Sequence, residues 1–205
     1  LNEGLLEIEG FSFWYCTSLT NIIIPDSVEK IGNGAFLDCD SLEVVFVVGK
    51  DLPEGERDGV IWHTGLTTIF IENAEKLPRG QTKSGFSYVV NSDDEILLLK
   101  YNGRDMNPEI PLEIEHKPVV SIGMHAFEGY DRLKRITIPG SVRDIGAYAF
   151  SNCTNLQTVI IKDGVRSLGD SLFEDCYKLS KIVIPDSVDK VGEKIINGCS
   201  RLKTA

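Results

Sequence analysis

Cysteine and histidine are the residues here best suited to nucleophilic, redox or metal chemistry, and the chain has five cysteines and three histidines. Their spacing argues against all three chemistries. Cys16 and Cys39 lie 23 residues apart, and so do Cys153, Cys176 and Cys199 in turn. A redox or zinc site wants a C-x-x-C pair, and none is present. Each thiol instead falls three residues after an apolar position (Phe13, Phe36, Phe150, Phe173, Ile196) and three before a Leu. That pattern reads as small buried thiols packing as hydrophobes. His63, His116 and His125 stand alone, without an H-E-x-x-H pair, and read as loop or outward-facing residues. The acidic run Asn91 to Glu95 lacks the spacing of a calcium loop and reads as a hairpin turn between two extended segments. Gly32 and Gly34 precede no phosphate-loop lysine, and Gly-x-Ser-x-Gly is absent. No catalytic residue, metal ligand or cofactor is expected.

What spaces these residues is a repeat. Segments starting at Leu19, Leu133, Leu156 and Leu179 each approximate L-x-x-I-x-I-P-x-S-V-x-x-I-G-x-x-A-F-x-x-C. A unit of this size cannot bury its own apolar face and must stack on its neighbours. In the first clear copy, Ile22 and Ile24 alternate with Ile23, as in a strand that Pro25 ends. Asp26 and Ser27 are turn formers that can hold their own backbone. Val28 and Ile31 point inward from a short second segment, and Gly32 is expected at a backbone angle other residues resist. Ala35, Phe36 and Cys39 have the spacing of one helical turn. Stacked strands would form a parallel sheet at about 4.8 Å spacing. Phe13, Phe36, Phe127, Phe150 and Phe173 would form a ladder in the core.

Composition narrows the function. The net charge is −10 and the pI about 4.8, which argues against general nucleic-acid binding. No apolar run reaches the roughly 20 residues that span a bilayer, so no membrane insertion by this segment is expected. The start carries no secretory pattern, and it opens inside a repeat, so the chain reads as a piece of a longer array.

The strings IPDSVEKIGNGAFLDCDSL, IPGSVRDIGAYAFSNCTNL and IPDSVDKVGEKIINGCSRL resemble the BspA-like, or treponemal-type, leucine-rich repeats. The resemblance covers roughly residues 5–47 and 119–205. Residues 86–123 resemble a module that often opens such arrays: a hairpin (FSYVVNSDDEILLLKYNG), an Ile110-Pro111 segment, then KPVVSIG. The fold expected is α/β: a right-handed leucine-rich-repeat solenoid, horseshoe-like, with 23-residue repeats, a parallel concave sheet and an inserted β-hairpin module. The divisions expected are 1–83 (repeats, the last ones degenerate), 84–118 (hairpin module) and 119–205 (repeats). Residues 48–65 read as a degenerate repeat with a longer loop, 72–84 as a connector, Tyr130 as a replacement for the repeat cysteine, and Ile195-Ile196 as a worn Ala-Phe. The resemblance implies a bacterial cell-surface or secreted protein that binds host or matrix proteins.

The strand positions facing away from the core are the candidate binding surface. Counted from each repeat Leu, the plus-four row is Ile23, Phe46, Phe70, Thr137, Ile160 and Val183. The plus-two row is Asn21, Val44, Thr68, Arg135, Thr158 and Lys181. An exposed sheet face normally alternates to polar, yet the plus-four row is mostly apolar. Three readings stay open: a binding face, a face covered by the chain itself, and plain strand propensity. Ile23, Val44, Phe46 and Phe70 form an apolar end. Lys134, Arg135, Lys162, Lys181 and Lys203 form a basic one. The function expected is non-catalytic binding or adhesion to a protein or glycan ligand by a monomer, extracellular or at the cell surface. The rivals are self-association and a targeting or spacer arm of a larger extracellular enzyme.

Overall fold

The computed structural model describes residues 1–203 apart from positions 3, 40, 43, 49–66, 72–78 and 92, and only the backbone of 67–71. The degenerate repeat expected over 48–65, most of the connector and His63 therefore lie outside the described residues. The chain divides into two compact units, Leu1–Pro78 and Arg79–Ala205. Each contains stacked β-solenoid coils.

The first unit contains β1 (Glu7–Ile8), β2 (Asn21–Ile24), β3 (Lys30–Ile31), β4 (Val44–Val48) and β5 (Thr67–Ile71). β2, β4 and β5 form one parallel sheet, and β1 and β3 a second. Each coil thus places two short strands in two sheets with the core between them. That core includes Ile8, Ile24, Ile31, Phe36 and Leu42.

The second unit contains β6 (Arg79–Gln81), β7 (Phe86–Val90), β8 (Ile96–Tyr101), β9 (Glu113–Ile114), β10 (Lys117–Ile122), β11 (Arg135–Ile138), β12 (Asp144–Ile145), β13 (Thr158–Ile161), β14 (Ser167–Leu168), β15 (Lys181–Val183) and β16 (Lys190–Val191). β11, β13 and β15 form one parallel sheet. The other runs β16-β14-β12-β10-β8-β7-β6, with β9 paired to β10. β7 and β8 are antiparallel, and β8 lies parallel to β10. One core runs from Phe86 through Phe127, Phe150 and Phe173 to Cys199. The hairpin and the coils after it therefore share a sheet and a core.

The α part of the α/β expectation is overturned: no helix occurs among the described residues. Two rows of left-handed residues prevent one. They are Phe11, Gly34, His125, Tyr148, Ser171 and Lys194, then Tyr15, Asp38, Gly129, Asn152, Asp175 and Gly198. A positive φ four residues apart cannot sit in a right-handed helix. Hydrogen bonding follows the same logic. Phe127 N–H donates to Ala149 O at 2.7 Å and Gly129 N–H to Ser151 O at 2.9 Å, both in the next coil. Only the intervening groups close local turns, as Tyr130 N–H does onto Phe127 O at 3.0 Å. The A-F-x-x-C segment spends half its donors between coils.

Two further expectations change. Gly32 does not have positive φ. A Cβ there would strike the backbone of Gly10, and one at Gly146 would lie 2.5 Å from Met124 N. Close approach of neighbouring coils, not a special angle, demands glycine. The repeat serine does not hold its own turn either. Ser187 Oγ donates to Val165 O at 2.8 Å and accepts from Gly164 N–H at 3.0 Å. Ser27 makes the same pair with Leu5 O and Gly4 N–H. Ser141 is buried at its Oγ and makes no such bond. The residue 23 positions before it is Pro118, which has no N–H to offer.

The aromatic ladder forms as the repeat spacing predicts. Phe127 and Phe150 stack at 4.9 Å, Phe150 and Phe173 at 5.5 Å, and Phe13 and Phe36 at 5.1 Å. Tyr101 of β8 extends it, stacking on Phe127 at 5.2 Å.

Candidate functional site

Burial suppresses the reactivity of the repeat thiols. All five cysteines are free, and all but Cys16 are buried. The Cys153 thiol donates to Phe127 O at 3.1 Å, and Cys176 and Cys199 repeat this onto Phe150 O and Phe173 O at 3.2 Å. Burial pushes Cys153 up from 9.0 to about 12, and it pushes Cys176 and Cys199 up as well. A thiol so protonated at neutral pH is a poor nucleophile. His125 is half-buried: its ring stacks on Tyr148 at 5.3 Å, with Nδ1 2.7 Å from Glu128 Oε2. His116 and Glu115 both have positive φ and make the tight turn between β9 and β10. In the acidic run, Asn91 Oδ1 accepts from the N–H groups of Asp93 and Glu95, which is a turn. Among the described residues no cluster of His, Cys, Asp and Glu could hold a metal.

The two ends of the expected binding face differ. In the first unit, Val44 is 1% exposed and Phe46 0% exposed, so neither lies on an open surface. β4 is buried on both faces (Val44 through Val47), and Ile23 beside it is half-buried. The pairing also departs from the 24-residue step between Leu42 and Leu66. Phe46 lies beside Ile69, and Val47 beside Phe70. Phe70 thus belongs to the row of Ile24 and Val47; its side chain lies outside the described residues. The step from β4 to β5 is 23 residues, as it is from β2 to β4, so counting 24 from Leu42 to Leu66 puts Phe70 one place out, and a shift of one changes the row.

In the second unit the face is open. Arg135, Thr158 and Lys181 stand side by side, as do Thr137, Ile160 and Val183. Arg135, Thr137, Lys181 and Val183 are exposed, the last by 41%, and Thr158 and Ile160 half-buried. The alternating residues Ile136, Ile138, Val159, Ile161 and Ile182 fill the core. Lys162 follows the opposite end of β13 from Thr158, so the basic residues are not one cluster.

At the start of these strands Asn107, Lys134, Arg135, Gln157 and Thr158 line a cavity of about 480 Å³. The loop after β8 builds its outer wall. Lys134 N–H donates to Met106 O at 2.8 Å, as Gln157 N–H does to Lys134 O one coil on. The loop thereby occupies the place of a preceding coil. It is held by Tyr101 Oη, which accepts from Asp105 N–H at 3.2 Å, and by Tyr130, whose hydroxyl donates to Asp105 O at 2.9 Å. This explains why Tyr130 replaces the repeat cysteine: a longer side chain reaches the loop. Asn107 and Gln157 were not legible as site residues. One lies in a turn and the other in a position that repeats no particular side chain.

The family described as BspA type leucine-rich repeat region matches the chain in six copies, over residues 1–73 and 113–205. A leucine-rich repeat protein from Bacteroides capillosus is 25% identical with a TM-score of 0.54, over 62% of this chain and 96% of that one. Another from Bacteroides ovatus is 26% identical with a TM-score of 0.51, over 63% of this chain and 33% of that one. No curated protein matches.

Proposed function

Because the chain belongs to the BspA-type leucine-rich repeat family, we propose that it is a non-catalytic binding module of a bacterial cell-surface or secreted protein, acting through the open face of β11, β13 and β15. One observation carries the choice of face. Of the two equivalent sheets, this one leaves Val183 exposed and Ile160 half-buried on the face that carries Arg135 and Lys181, whereas Val44 and Phe46 are closed. Aliphatic side chains flanked by cations on a flat, regular surface suit a protein partner: the apolar part supplies affinity and the charges orient the encounter. Family membership supports the surface location and the absence of catalysis. The protein acts as a monomer with respect to this face.

The test is binding of the purified chain to a panel of purified matrix and host-surface proteins by biolayer interferometry. Val183→Asp should weaken a true interaction by about tenfold or more, since a buried valine contributes about 1.5–3 kcal/mol. The exposed position spares the fold. A partner indifferent to Val183→Asp and Ile160→Asp would place binding elsewhere. Concentration-dependent sedimentation that the same substitutions abolish would make the partner a second copy.

A further inference from the structure

We infer that the cavity bounded by Asn107, Lys134, Arg135, Gln157 and Thr158 is a subsite for an acidic saccharide, one bearing carboxylate or sulfate groups. This rests on the binding-face reading and narrows its ligand to a glycan or a glycan-bearing partner. Three observations converge. The lining holds two cations and no carboxylate, on a chain of net charge −10. Neither Lys134 nor Arg135 forms an ion pair among the described residues, whereas Lys30 pairs with Glu7 at 2.7 Å and Arg143 with Glu95 at 2.7 Å. Two unpaired cations converging on one cavity make a local positive field that an anion can fill.

The rest of the lining selects among anions. Asn107, Gln157 and Thr158 carry groups that both donate and accept hydrogen bonds, as saccharide hydroxyls do. The described lining residues are all polar or charged, which suits a hydroxyl-rich ligand better than an apolar anchoring residue of a peptide. Arg135 presents a planar fork suited to a carboxylate or sulfate, and Lys134 adds a mobile point charge. Lys181 continues the row, two strand spacings from Arg135, or about 10 Å. A chain of acidic sugars laid across the strands would therefore meet cation, hydroxyl and cation in turn. The loop wall matters too: Asn107 reaches this place because Met106 O is tied to the Lys134 N–H.

Isothermal titration calorimetry with the full chain tests this. The probes are a sulfated uronic-acid tetrasaccharide, its desulfated, carboxyl-reduced counterpart, and an oligoglutamate of equal charge. The first should bind and the second should not. Arg135→Gln and Lys134→Ala should each weaken binding at least about tenfold, because a charge-assisted hydrogen bond is lost. Lys190→Ala, on the other sheet, should leave it unchanged. Thermal melts confirm that each variant folds. No binding of the charged tetrasaccharide overturns the inference, as does unchanged binding by both cavity variants or equal loss in Lys190→Ala. Oligoglutamate binding as tightly would make the ligand an acidic peptide instead. A protein partner lost on Val183→Asp but indifferent to the cavity variants leaves the binding face standing and removes the saccharide.

Discussion

Phe150 is the most informative single side chain to remove. It is 0% exposed and lies between Phe127 at 4.9 Å and Phe173 at 5.5 Å, with interplanar angles of 20° and 19°. Truncating a buried phenylalanine to alanine costs about 3–5 kcal/mol. Each stacked pair adds about 0.5–1.5 kcal/mol beyond area. Because two pairs break together, Phe150→Ala should fall near the top of that range, about 5 kcal/mol. Set against a typical domain stability of about 5–15 kcal/mol, that could unfold the second unit outright. Phe150→Leu is the readable variant: it keeps apolar bulk, loses both stacks, and should cost about 1–3 kcal/mol. Urea denaturation followed by circular dichroism measures it. Coils interact mainly with their neighbours, so the break should also loosen coupling across the ladder and lower the slope of the transition. A cost for Phe150→Leu below about 0.5 kcal/mol, with unchanged slope, would refute the claim that this ladder ties the coils together.

Three other perturbations separate the physical causes. Ser187→Ala removes a hydroxyl that bridges two coils and should cost about 1–2 kcal/mol, whereas Ser141→Ala, whose hydroxyl lacks a partner, should be near neutral; equal effects by thermal melting would contradict the clamp. Native titration with a thiol reagent should show Cys16 reacting first, with Cys39, Cys153, Cys176 and Cys199 released only by denaturant; native disulfides would contradict this. Since Cys153 titrates at about 12 when folded and near 9.0 otherwise, its contribution to stability is complete below pH 9 and is lost as pH rises toward 12. Stability in urea should therefore fall above pH 9, and less steeply in Cys153→Ala.

The repeat spacing alone determined the recurring core positions. Ile22, Ile24, Ile31, Phe36 and Cys39 recur at steps that can only stack, and burial of small apolar groups needs no more than their periodicity. The hairpin pairing of β7 with β8 was also legible, because extended segments flank a turn whose asparagine caps it locally. What surrounds a coil was not. Phe46 and Phe70 look equivalent by spacing, yet pairing separates their rows by one residue, since a ladder bonds backbone and ignores side-chain identity. The A-F-x-x-C segment has helical spacing, but half its donors reach the next coil, and local sequence cannot say how far away that coil lies. Ser141 and Ser187 occupy the same place in the I-P-x-S-V motif, yet stacking sets Pro118 beside one and Gly164 beside the other. The cavity joins Asn107 to Gln157 across fifty positions of chain. Periodicity reports the inside of a solenoid because every coil solves the same burial problem. Its surface sites arise where one coil is replaced by something else, and only the tertiary contacts reveal which residues that replacement brings together.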